Sequence, residues 1–132
     1  MFLAACARAT GGSDVPVQSG TLASQGCDQA SARVAAMLWP AGPASDPRLE
    51  RADIAPYVAA AGQMLAVCTP VAVAAHQREQ ELGLLAAQDA VRKELAEMAA
   101  LDSRRLAELL PVHAQHVRRY LSLTEALRGR SR

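Results

Sequence analysis

Two pairs of residues in this chain have a spacing suited to metal chemistry. His76 and Glu79 stand three apart, and so do His113 and His116. Residues i and i+3 share one face of a helix, so each pair could offer two ligands to zinc or another transition ion. The spacing constrains a site only loosely. His113 also falls on an apolar stripe, where a histidine hydrogen-bonded inside the core is the simpler reading; His76 and His116 read as surface residues. There is no Cys-x-x-Cys and no Cys/His cluster with structural-zinc spacing. Serines and cysteines are available as nucleophiles, but there is no Gly-x-Ser-x-Gly elbow, no P-loop and no dinucleotide fingerprint. Glu79, Glu81, Glu94 and Glu97 read as solvated helix faces. The pattern points away from an enzyme, and no cofactor is expected.

A second set of candidates is cationic. Arg118, Arg119, Arg128 and Arg130, with Arg132 beyond them, could meet anionic headgroups, nucleic acid or water. The whole chain carries a net charge of +1. From Arg104 onward seven arginines face two glutamates, a local +5, while the first 103 residues sum to −4. Aromatics are only 3% of the chain, too few to stack bases, so nucleic acid is not an expected partner. Arginines near a helix C-terminus also suit the macrodipole. Abundant Ala and Arg follow from GC-rich coding as well, with no function required.

The elements that must position these residues are helices. A chain of 132 residues suits one domain. It is rich in Ala, Leu, Glu, Gln and Arg and poor in β-branched residues, which favours helix over strand. Hydrophobic residues make up 51%, but 29 are alanines, so the core should be thin and built from Leu and Val. A helix is expected from Ser24 to Trp39, with Cys27, Ala30, Val34, Met37 and Leu38 inward. Pro40 stops it, and "PAGPASDP" reads as a loop. A second helix should run from Ile54 to Cys68, with Asp53 as its cap. Thr69-Pro70 could start a new helix or kink a continuous one.

Residues 71–101 read as helical throughout, with Leu84, Val91, Leu95, Met98 and Leu101 as the stripe. A turn or kink is expected at Asp102 to Arg105. In the last helix Leu106, Leu110, His113, Val117, Tyr120, Thr124 and Leu127 alternate by four and three, a heptad seam. Leu109 and Leu121 widen it, which suits docking in a bundle better than a lone coiled coil. Pro111 should bend this helix or split off its first turn. The fold class expected is all-α: an antiparallel bundle of three or four helices. The 24 uncharged residues from Ile54 to Gln77 are long enough to span a bilayer, but Gln63, Thr69, His76 and two prolines favour a buried bundle helix.

The opening of the chain carries a resemblance. Leu3-Ala4-Ala5-Cys6 resembles the lipobox of bacterial lipoproteins. That resemblance implies a diacylglycerol on the Cys6 thiol and cleavage before it. Residues 1–5 would be the remnant of a signal peptide, and translation would start upstream of Met1, because a secretory signal needs a basic segment and an apolar run of about 7–15 residues. Residues 6–23 would be the flexible N-terminal tether, rich in Gly, Ser, Ala and Thr. Residues 24–128 would be the helical domain and 129–132 a disordered tail. Ala7 after the cysteine leans toward the periplasmic face of the outer membrane.

If Cys6 is lipidated, Cys27 and Cys68 remain, and an oxidising periplasm would let them pair. The alternative is two compact buried residues that never meet. The function expected is contact with another protein, by analogy with pilotins, assembly factors and exclusion or immunity proteins. A groove near Leu82, Leu85, Leu109 and Leu123 would receive the partner, unless these residues simply pack the bundle. Two rivals stand beside this. One is a cytoplasmic adaptor or oligomer that self-associates through the 106–127 seam, with free thiols. The other is a periplasmic metal sensor or chaperone using the histidines.

Overall fold

The computed structural model describes residues 15–73 and 78–130, with side chains described over 22–73 and 82–128. Four helices follow in order: α1 (Val15–Leu38), α2 (Ile54–Val73), α3 (Arg78–Met98) and α4 (Ser103–Arg130). There is no strand among the described residues. The chain enters α2 through one 3-10 turn at Arg51–Asp53. The fold is an antiparallel four-helix bundle, as composition and periodicity predict.

Side-chain contacts fix the direction of each helix. Cys27 of α1 meets Cys68 of α2, while the Leu38 carbonyl at the end of α1 accepts from Arg48 N just before α2. The two helices therefore run antiparallel. Glu94 near the end of α3 meets His113 in the first half of α4, so these two are antiparallel as well. Tyr57 and Thr69 of α2 meet His113 and Tyr120 of α4 in the same order, so α2 and α4 are parallel. Short connections make sequence neighbours spatial neighbours, the usual up-down-up-down solution.

Every residue of the α4 seam is buried: Leu106, Leu110, His113, Val117, Tyr120, Thr124 and Leu127. Leu84, Val91, Leu95 and Met98 of α3 are buried against it, and Leu101 is half-buried. On α1 the expected Cys27, Val34 and Leu38 face inward, with Ala30 and Met37 only partly covered. The uncharged α2 supplies Tyr57, Ala61, Met64, Leu65 and Cys68 to the centre. By length and composition this helix could cross a bilayer, but a core helix of a bundle has the same composition, and here its hydroxyls bond across the core.

Several boundaries differ from expectation. α1 begins at Val15, nine residues before Ser24, with Pro16 in its first turn, where a missing N–H costs nothing. It ends one residue early, at Leu38. α2 runs through Pro70 to Val73, so neither a fresh start nor an end occurs at Thr69-Pro70. α4 likewise runs through Pro111. Both prolines are exposed, as are Ala66 and Ala107 four residues before them, so water can serve the carbonyls that lose their partner. The break between α3 and α4 lies at 99–102 and not at 102–105. Asp102 caps α4: its Oδ1 accepts from Arg105 N at 2.8 Å, which draws Ser103 to Arg105 into the helix. The proline loop turns at Gly42, whose φ of +121° suits only glycine.

Candidate functional site

Three buried polar side chains of this bundle, Tyr57, Glu94 and His113, converge at one place. Glu94 of α3 is 8% exposed, and its two oxygens serve two histidines of α4. His113 Nδ1 lies 2.8 Å from Oε1, and His116 Nδ1 lies 2.5 Å from Oε2. A carboxylate only accepts, so both Nδ1 atoms carry hydrogen and donate. His113 Nε2 lies 2.7 Å from the Tyr57 hydroxyl of α2. With Nδ1 protonated, the neutral ring accepts the phenolic O–H at Nε2. The two rings meet edge to face, 5.6 Å apart. The chain of bonds is thus Tyr57 to His113 to Glu94, with His116 as a second donor to the same carboxylate.

Burial sets the protonation of these groups. His113 is fully buried, and desolvation holds it below the usual histidine range, although Glu94 pulls the other way. The Tyr57 hydroxyl is pushed well above the ordinary phenol range, first by burial and then by the Glu94 charge. Tyr57 therefore stays a donor. The order hydroxyl, imidazole, carboxylate is that of a nucleophile, base and orienter. Yet Tyr57 and His113 are both 0% exposed, so the hydroxyl reaches no substrate in this conformation. The arrangement joins three helices and gives His113 a hydrogen-bond partner at each nitrogen. Only His116 reaches solvent, with 37% of its side chain exposed.

Of the metal candidates, His113 and His116 do come together, but on Glu94. His76 lies outside the described residues, and so does the Glu79 side chain. No group of three metal-ligating side chains fit to hold an ion occurs among the described residues. Glu94 corrects the expectation of a solvated face. It stands three residues after Val91 and four before Met98, so the buried stripe passes through it. That spacing was the available signal, and its charge masked it. Tyr57 had a weaker one: it sits four residues before Ala61 on the inward side of α2.

The arginines divide. Arg128 is buried, a correction to its reading as a surface cation. It donates to Asp28 Oδ1 at 2.5 Å and to the Ser24 carbonyl and hydroxyl at 3.3 Å, joining α4 to α1. Arg118 lies 4.6 Å from the Trp39 ring centre and donates to the carbonyls of Pro43 and Ser45 at 3.0 and 3.2 Å. Its plane fits both tasks at once. Arg119 is exposed, and the Arg130 side chain lies outside the description.

Cys27 and Cys68 are fully buried and at disulfide distance, with Sγ atoms 2.08 Å and Cα atoms 4.8 Å apart. The Ser31 hydroxyl lies 3.4 Å from Cys68 Sγ. Cys6 lies outside the described residues. Among the groove candidates, Leu82 is 61% exposed. Leu109 and Leu123 pack against the core and Leu85 is half-buried. An open groove of about 470 Å³ borders the start of α2, lined by Arg51, Ile54, Ala55, Val58, Ala59 and Ala99. No protein family, curated protein or solved structure matches the chain.

Proposed function

We propose that this is a lipid-anchored periplasmic protein that acts by binding another protein. One observation carries the reading: Cys27 and Cys68 stand within bonding distance across the α1–α2 interface. Structural disulfides persist in oxidising compartments and are rare in the reducing cytosol. Leu3-Ala4-Ala5-Cys6 supplies the matching address, with Cys6 as the lipid acceptor. The Tyr57–His113–Glu94 chain favours a binding role over catalysis, because Tyr57 and His113 are wholly buried. Leu82 and the groove beside Ile54 and Val58 offer apolar surface to a partner.

The rival readings draw less support. Self-association through the α4 seam would require residues that the bundle already buries. Metal binding at His113 would have to take Nε2 from the Tyr57 hydroxyl, because Nδ1 already donates to Glu94. The test is to express the gene with its own upstream codons and label cells with palmitate. Label on the wild type and none on Cys6→Ser supports the anchor. An unlabelled chain in the cytosolic fraction, with both Cys27 and Cys68 open to alkylation, would sink the proposal in favour of the adaptor.

A further inference from the structure

The bundle divides into two hairpins. α1 packs chiefly on α2, and the Cys27–Cys68 bond ties that pair; α3 packs chiefly on α4. Between the hairpins run an apolar seam and a few polar contacts. Thr69 Oγ1 and the Tyr120 hydroxyl lie 2.7 Å apart, Arg128 meets Asp28, and Arg118 covers Trp39. Arg51 also donates to the Leu101 carbonyl, and a further contact is that of Tyr57 with His113. It is the one whose partner is of the residue type that changes charge between about pH 5 and 8.

We infer that His113 is an acid-sensitive latch between the hairpins, accepting from Tyr57 while its ring is neutral and leaving the Tyr57 hydroxyl hydrogen without an acceptor on gaining a proton. The reason is the position of the free lone pair. Nδ1 already bears a hydrogen, donated to Glu94. A further proton can go only to Nε2, the atom that accepts from Tyr57. The bond must then invert, and the phenolic hydrogen loses its acceptor. Tyr57 is fully buried, so no water replaces it.

The groups that bear on His113 are Tyr57 from α2, Glu94 from α3 and His116 from α4. Charged groups of α1 are not among them; α1 meets α4 at Ser24 and Asp28, and Trp39 just after α1 meets Arg118. Glu94 offsets part of a new charge on His113. His116 competes for the same carboxylate, and its own protonation adds repulsion. Burial disfavours the charged ring further. The first turn of α2 also borders the open groove at Ile54 and Val58, so packing leaves one side of it uncovered.

Trp39 reports on the latch. It is the only tryptophan, is 4% exposed, belongs to the first hairpin and lies under Arg118 of the second. The experiment follows its emission in the oxidised full chain from about pH 7.5 to about pH 5, with far-ultraviolet circular dichroism in parallel. The expected result is a red shift of emission with helical signal retained, absent in His113→Gln and present in His116→Gln. Emission that does not move, or that moves equally in His113→Gln, overturns the inference. Should His113→Gln not fold, proton NMR of the wild type decides. The His113 ring must titrate together with the emission, and a ring that stays neutral through the shift overturns it.

Discussion

Glu94 holds two hydrogen-bond donors with one charge, and one of those donors has no access to water. Removing it leaves the His113 Nδ1–H buried without a partner. Glu94→Ala should therefore cost about 2–4 kcal/mol in urea unfolding, the scale of a broken buried pair. Glu97, on the exposed side of the same helix, should change stability by less than about 0.5 kcal/mol when replaced by Ala. A pH dependence follows from His113. Its folded pKa is lowered from 6.5 by burial, so the unfolded chain binds more protons once the pH nears that value. The contribution is fully present above 6.5 and is lost as pH falls through the folded pKa. The urea midpoint should fall on acidification below 6.5 in the wild type, and fall less in His113→Gln. Equal slopes would remove His113 from the account. At this scale the sequence was half legible. His113 was visible on the seam, while Glu94 was not, because a charge on a helix is usually solvated and its partner lies 19 residues away.

The helices were legible in proportion to their contrast. α4 has polar and apolar residues in clear alternation, and every seam position lies inside. α2 lacks charge, so its apolar length alone suits a bilayer span as well as a core helix; Gln63, Thr69 and its two prolines favour the core, where Tyr57 and Thr69 bond to α4. The start of α1 was missed because Gly, Ser and Thr have low helix propensity. Gly62 offers a clean test of propensity. It lies within α2, and a Cβ there would touch nothing within 4 Å. Gly62→Ala should raise stability by about 0.5–1 kcal/mol, read as a higher melting temperature. No gain, or a loss, would mean that the exposed side of α2 is covered by something that the single chain does not contain.

For the whole molecule the covalent tie acts through the unfolded chain. Closing a loop over a separation of 41 residues should restrict the unfolded chain by about 4 kcal/mol on the chain-entropy model. Unfolding with and without reductant measures it, and a Cys27→Ser/Cys68→Ser double variant should match the reduced wild type. A difference under about 1 kcal/mol would show that the unfolded chain was already restricted there. The hairpin division also bears on how the chain assembles. Both bonded cysteines belong to the first hairpin, and the bond needs nothing from α3 or α4 to bring its ends together. A chain that emerges from its N-terminus could close this bond while its second half is still being made or threaded. The later helices would then dock onto a fixed template. The order of emergence would suit the order of assembly, and the late step would be the docking of two preformed halves.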